Sequence, residues 1–164
     1  MTLNIRRATP ADFKILQKLN KEVFLDNAQY DKYLSLQWPF SKAGERYYRK
    51  VLSRKLYECF IAEANGKPVG YLAAKKVGYS YRAGSVIVIE NMGVVPEHRS
   101  KGIESLLINS LRSWCKKEKI ERIFVNAYVK NIRAIRFYQR HGLTPIDISL
   151  EGEVEPTPNP RRDE

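Results

Sequence analysis

The sequence predicts an α/β domain with a mixed, mainly antiparallel central sheet flanked by helices. Three observations lead there: apolar strand-like runs that follow one another between residues 58 and 94, an apolar stripe of helical period that begins directly after Gly102, and a strand-then-helix unit from Ile120 to Gly142.

The chain opens with a short alternating run, Leu3 to Arg7, which reads as a strand. Thr9 then stands as a helix cap with Pro10 at the first helical position and Asp12 in the first turn, and Phe13, Leu16, Leu19, Val23 and Phe24 recur at helical spacing. Residues 26–57 are aromatic-rich, with Trp38-Pro39-Phe40 between two helical pieces. Tyr47, Tyr48, Val51, Leu52 and Leu56 line the second piece. Glu58 to Glu63 reads as a strand, residues 64–67 as its turn, and Val69 to Val77 as the next strand; Ser85 to Val94 is a further apolar run. The stripe Ile103, Leu106, Leu107, Ile108, Leu111 and Trp114 forms a helix that ends in a basic run. Strand character returns from Ile120 to Tyr128, helix from Asn131 to His141 with Gly142 as its stop, and Thr144 to Leu150 reads as a closing strand. Residues 1–150 are therefore expected to form one domain, and 151–164, with Pro156, Pro158 and Pro160, a flexible tail.

Composition narrows the function classes. With 164 residues, 43% hydrophobic and 29% charged, the chain suits a folded domain with a substantial core and not a disordered scaffold. Two distant cysteines and two histidines support neither a disulfide framework nor a metal centre. No apolar run is long enough to span a membrane and the first residues lack a secretion signal, so a soluble, cytoplasmic protein is expected. The first 146 residues hold 27 basic and 12 acidic side chains, a formal +15, while the last 18 hold two basic and six acidic, a formal −4. A body of that sign favours anionic partners and disfavours a free polycation. The basic residues are scattered over several elements without a nucleic-acid motif, which argues against nucleic acid as the partner.

The densest functional signal is Val94-Val95-Pro96-Glu97-His98-Arg99-Ser100-Lys101-Gly102-Ile103, between an apolar strand and an amphipathic helix. The glycine permits a tight backbone, and the N–H groups that follow it lie at a helix start, where they are unpaired and face the positive end of the dipole. Such a loop can hold a pyrophosphate; a basic surface loop without ligand has the same composition. The Gly-Lys-Ser/Thr ending of a P-loop is absent.

This segment resembles the central motif of the GCN5-related N-acetyltransferase (GNAT) superfamily, Arg/Gln-x-x-Gly-x-Gly/Ala after a strand and a Val-x-Pro turn. Arg99 and Gly102 match, and Glu104 stands at the third, small position. A second resemblance runs from Asn126 to Gly142, with Asn131, Phe137-Tyr138 and the terminal glycine in the family's order. The resemblance implies acetyl-CoA as donor substrate, no metal, and direct transfer of an acetyl group to a primary amine in a ternary complex. It places Arg99, Ser100, Lys101, Gly102, Ile103 and the backbone near Glu104 around the pyrophosphate. Val94 and Val95 would lie beside pantetheine, Met92 would also bind the cofactor, Asn131 would contact the pantetheine arm and Tyr138 would lie near the sulfur. A backbone N–H from residues 92–94, where the family's strand opens at a bulge, would polarise the carbonyl oxygen.

Chemistry by that route needs a proton acceptor for the amine and a proton donor for the thiolate. Glu90 interrupts an apolar strand just before the loop, a costly place for an acid unless it meets solvent, a cation or a polar network. It is the candidate acceptor, with a salt bridge or an outward-facing position as its plain alternative. Tyr138 is the candidate donor, with core packing as its alternative. His98 reads as a phosphate or surface contact, His141 as a helix end, and Cys59 and Cys115 as packing residues. Acceptor specificity is expected from residues 26–57 and 78–84, where Tyr30, Tyr33, Trp38, Tyr47, Tyr79 and Tyr81 gather, with Arg46, Arg49, Arg54 and Lys55 facing solvent or an acidic acceptor. The acceptor is a peptide, protein or small-molecule amine. Other readings are a noncatalytic acyl-CoA-binding regulator and a polyamine or small-amine acetyltransferase, the latter because Glu90-Asn91 resembles an acidic pair of that branch. The sheet edges also leave room for a homodimer.

Overall fold

The computed structural model describes residues 1–155; the end of the expected tail, 156–164, lies outside the described residues. Five strands form one sheet: β1 (Leu3–Arg7), β2 (Tyr57–Ala64), β3 (Lys67–Val77), β4 (Val86–Val94) and β5 (Arg122–Val125). They lie in chain order, antiparallel from β1 to β4, with β5 parallel to β4. The expected mixed, mainly antiparallel α/β architecture is what the chain adopts.

Four helices cover the sheet: α1 (Phe13–Asn27), α2 (Lys42–Leu52), α3 (Ile103–Lys117) and α4 (Ile132–Arg140). Alternation along β2 sends Phe60 and Ala62 to one face, where they meet Ile103, Leu107 and Leu111 of α3, and Cys59 and Ile61 to the other, where they meet Leu16 of α1 and Tyr48 and Val51 of α2. Both faces are buried, which is why the central strands read as nearly continuous apolar runs. The β2–β3 turn places Asn65 (φ 49°) and Gly66 (φ 75°) in the left-handed conformation that a tight two-residue hairpin needs.

Three expected boundaries change. Pro10–Asp12 is a short 3-10 turn, and α1 starts at Phe13. The strand after α3 is confined to Arg122–Val125, because only those residues find partners, Val86–Ile89, on β4. Thr144 to Leu150 forms no strand at all: Pro145 lacks an amide donor, and no neighbouring strand pairs with the segment within the described chain.

Three ion pairs join β1 to its neighbours, two through Arg6 and one from Arg7 to Glu58. Arg6 makes two 2.8 Å bonds to the Asp12 carboxylate and a third, of 2.7 Å, to Glu63. Asp12 also accepts the Thr9 N–H at 2.7 Å. The Arg6 guanidinium, against the opposing effect of burial, holds the Asp12 carboxyl down at about 2 from the ordinary 3.8. A depressed folded-state value means the unfolded chain binds the proton more readily, so this contribution is complete above 3.8 and is lost as pH falls toward 2. Asp12→Asn is expected to cost about 2 kcal/mol at neutral pH and to flatten the acid limb of stability between those values, as read from urea unfolding at stepped pH. An unchanged acid limb would remove Asp12 from this role.

Candidate active site

The site begins where β4 leaves β5. Pairing between them ends at Ile89–Val125, and beyond it the two strands diverge. On the other edge of β4 the register shifts: Ala74 faces Ile89 and Ala73 faces Asn91, so Glu90 is the extra residue of a β-bulge. The bulge thus lies at Glu90 itself, two residues before the 92–94 stretch where the family pattern placed it. It turns the Glu90 side chain out of the apolar strand to an exposed position. The Val95 N–H donates to Val69 O at 2.8 Å on the β3 side, so alternation aims the N–H groups of Met92 and Val94 into the gap left by β5.

The loop that follows is held in place by Arg99. Its Nε donates to Val94 O at 3.0 Å and one terminal nitrogen pairs with Asp26 of α1 at 2.9 Å. The guanidinium therefore ties the loop to β4 and α1 while lining the gap. Ser100 (φ 60°) and Gly102 (φ 78°) both adopt the left-handed conformation, and a Cβ at Gly102 would point into open space with nothing within 4 Å. The first bond inside α3 runs from Leu106 N–H to Gly102 O, which leaves the N–H groups of Ile103, Glu104 and Ser105 without intrahelical partners. The Glu104 carboxylate stands 3.6 Å from the Arg133 guanidinium of α4. The residue that departs from the family pattern thus has a cationic neighbour on another helix.

Helix α4 closes the far side. Asn131 lines the gap and caps the helix, its Oδ1 accepting the Ala134 N–H at 3.0 Å, which leaves its amide NH₂ outside the cap bond. Burial pushes the Tyr138 hydroxyl up to about 12, so it carries its proton at neutral pH. One cleft of about 1560 Å³ is lined by Glu90, Met92, Val94, Arg99, Ser100, Gly102, Glu104, Asn131 and Tyr138. Three expected contacts stand outside it. Val95 packs between the two cores, Lys101 folds back to donate to Glu97 O at 2.8 Å, and the Ile103 side chain is 0% exposed, leaving only its backbone to serve a ligand.

Behind Glu90 runs a hydrogen-bonded chain with a single direction. Tyr48 donates to Asn20 Oδ1; Asn20 donates to Asn91 Oδ1 at 3.2 Å and to the Tyr71 hydroxyl; Asn91 donates to the Tyr47 oxygen at 3.1 Å; and Tyr47 donates to Glu90 Oε2 at 2.8 Å. Burial and the Glu90 charge hold the Tyr47 hydroxyl well above the ordinary tyrosine range, so its proton stays in place as the donor. Trp38, at 5.5 Å, and Tyr57, at 6.1 Å, pack around the Tyr47 ring.

The remaining aromatics do not form one pocket. Tyr30 stacks on Tyr128, Tyr79 leans on Tyr81, and Tyr33 donates to Glu153. Arg49 sits over the Phe13 ring and Arg54 donates to Ala8 O, so half of the expected basic face is structural. His141 Nε2 lies 3.0 Å from Ser105 Oγ, with the ring against Phe137. Both cysteines are buried, and burial raises both thiols, Cys115 to about 11, which fits packing and not nucleophilic attack. Asp26, Arg133 and Asn20 were not singled out from the sequence, since each acts through a residue distant along the chain.

Comparisons with known proteins identify the family and the fold. A family model described as acetyltransferase (GNAT) family matches residues 22–143, most of the chain and all of the site. The chain belongs to this family. An uncharacterized N-acetyltransferase of Methanocaldococcus jannaschii, MJ1207, is 30% identical over 142 residues, 86% of this chain, and N-alpha-acetyltransferase 60 of Xenopus tropicalis is 26% identical over 152 residues, 79% of this chain. This chain spans 60% and 63% of those two relatives' lengths. Among solved structures, a variant of the BH1408 protein of Bacillus halodurans superposes with a TM-score of 0.81 at 18% identity, over 93% of this chain and 99% of that one. The aminoglycoside acetyltransferase AAC(6')-Iy with a bisubstrate analogue superposes with a TM-score of 0.72 at 16% identity, over 94% and 99%. At such identities these structures attest to the GNAT fold. Among the described residues, no three His, Cys, Asp or Glu side chains gather where they could hold a metal ion, and no helix is long and apolar enough to cross a membrane.

Proposed function

We propose that this GNAT protein transfers an acetyl group from acetyl-CoA directly to a primary amine. The observation that carries the reading is the parted β4 and β5, which puts free backbone donors, a protonated tyrosine and an exposed carboxylate around one cleft.

The residues fit the donor. Left-handed Ser100 and Gly102 and the unpaired N–H groups of residues 103–105 form a cradle for a pyrophosphate, and the open space where a Gly102 side chain would stand is the space a phosphate needs. Asn131 has its amide NH₂ for the pantetheine arm. Acetyl-CoA, when bound, supplies an activated thioester. The N–H groups of Met92 and Val94 face the position of its carbonyl oxygen and offset the negative charge that develops there. Glu90 takes the proton of the incoming ammonium, directly or through water, and Tyr138 returns a proton to the leaving sulfur.

The acceptor follows from Glu90, which lines the cleft with the Tyr47 hydroxyl bonded to it and the Trp38 ring packed against Tyr47, a carboxylate beside aromatic rings. Such a surface suits a cationic amine presented on a peptide or a compact small molecule. The relative called N-alpha-acetyltransferase 60 and the fold neighbours named as aminoglycoside acetyltransferases place protein amino termini and aminoglycosides on the panel to test.

Calorimetric titration with acetyl-CoA, followed by free-thiol release with peptide, polyamine and aminoglycoside panels, tests the proposal. Saturable binding and amine-dependent release are expected. Gly102→Val forces a β-branched residue to φ 78° and fills the cradle, and it is expected to weaken binding at least about tenfold. Binding without release from any amine would favour a noncatalytic acyl-CoA-binding protein. No binding by folded protein would end the acetyltransferase reading.

A further inference from the structure

Lys75 and Lys76 follow one another near the end of β3 and so face opposite sides of the sheet. Lys76 has a structural role: it donates to Glu118, just past α3, at 3.0 Å and lies 4.9 Å from the centre of the Trp114 ring. Lys75 makes no ion pair among the described residues, and its ammonium lies 5.6 Å from the centre of the Tyr57 ring. Its face of the sheet is the one that α1 and α2 cover at Tyr71 and Ala73, the alternate residues before it. Cross-strand register sets Tyr57, Lys75, Val88 and Phe124 in one row over four strands, and all four are half-buried. Beyond the helices this row forms an open shelf, which meets the cleft at Phe124.

Glu90 bounds the shelf, two residues past Val88 on β4. Its carboxylate accepts the Tyr47 hydroxyl and has no cationic partner among the described residues. The Tyr47 and Tyr57 rings, 6.1 Å apart, stand between the two charges. Both charges reach the Tyr57 hydroxyl, which burial raises, Glu90 raises further and Lys75 lowers. Strand spacing and rise set the Cα atoms of Lys75 and Glu90 about 8 Å apart. Arg122, one row further from Glu90, is tied to Ala83 O. Lys75 is therefore the cation of this shelf that is left for a ligand.

We propose that Lys75 is the anion-binding half of the acceptor site, and that the acceptor carries a carboxylate within a few bonds of its reactive amine. The proposal rests on the acetyltransferase reading, which puts the amine at Glu90. The ammonium of such a molecule faces Glu90, its carboxylate faces Lys75, and the tyrosine rings pack along the bonds between. Each charge then meets its opposite, whereas a polyamine or aminoglycoside would bring a further cation toward Lys75. The formal +15 of residues 1–146 favours the same acceptors. The carboxylate is that of a free amino acid or the side chain of an acidic first residue of a peptide.

Calorimetric titration of two matched pairs distinguishes these sources: alanine against alaninamide, and dipeptide amides that begin with glutamate against glutamine. Each is measured with and without saturating CoA. The carboxylate-bearing member of at least one pair is expected to bind about tenfold or more tightly than its neutral match. Lys75→Met keeps the length of the side chain and is expected to abolish the difference, with acetyl-CoA affinity and the circular dichroism spectrum unchanged; Lys75→Arg is expected to retain it. In turnover, Lys75→Met is expected to raise KM for the preferred acceptor about tenfold with kcat unchanged. Equal affinities within both pairs, no binding by any of the four, or a preference that survives Lys75→Met would overturn the proposal. Loss of the acetyltransferase reading would show separately, in the acetyl-CoA titration.

Discussion

Glu90→Gln is expected to lower the turnover of acetyl transfer by about a hundredfold to ten-thousandfold while leaving acetyl-CoA binding unchanged. The substitution keeps the size of the side chain and its bond to Tyr47, and it removes the capacity to take a proton from the ammonium. The residual rate is expected to climb with pH, as the acceptor amine sheds its own proton to water. Tyr47→Phe is a milder version of the same test. It deletes the last donor of a chain that starts at Tyr48 and passes through Asn20 and Asn91, so the carboxylate loses the bond that orients it. A drop of about tenfold in turnover is expected, with acetyl-CoA binding unchanged. Unaltered turnover in Glu90→Gln, in protein that still binds acetyl-CoA, would return Glu90 to the plain role of an outward-facing strand residue.

The largest stability effect is expected at the other end of the sheet. Glu58 is 1% exposed, and its carboxylate is met by Arg7, through a 2.6 Å bond from Nε and a second from a terminal nitrogen. Arg7→Met strands that charge in the interior and is expected to cost about 3–5 kcal/mol in urea unfolding. The double variant Arg7→Met, Glu58→Met removes the charge along with its partner and is expected to recover most of the loss, because desolvating an ion pair offsets much of its attraction. A single variant as stable as the parent would mean that Glu58 finds solvent or another cation once Arg7 is gone.

What the sequence carried was local chemistry. The Asn65-Gly66 hairpin, the helix start at Gly102 and the stop at Gly142 depend on residues a few positions apart, and each stands where the pattern placed it, while Thr9 and Asp12 close a capping box on the 3-10 turn that precedes the first helix. The two buried faces of the sheet were likewise legible, because continuous apolar runs of strand length demand cover on both sides. The closing strand failed for the converse reason. Its alternation was read correctly as a pattern, but a strand exists only with a partner, and Thr144 to Leu150 has none within the described chain.

Tertiary structure decided the rest. The bulge at Glu90 follows from the register of β4 against β3, which no stretch of β4 states by itself. Arg99 is steered by Asp26, Glu104 by Arg133 and Glu90 by Tyr47, pairs separated by 73, 29 and 43 positions. Side chains so distant meet only after helices and strands have packed, and it is the packing that turns residue types of ambiguous meaning into a site. The sequence by itself determined which backbone segments could cradle an anion and where helices begin and end, since those properties belong to neighbouring amides and to glycine. The direction of each charged side chain around that cradle belonged to the fold, because electrostatic and hydrogen-bond partners are chosen by distance in space and not along the chain.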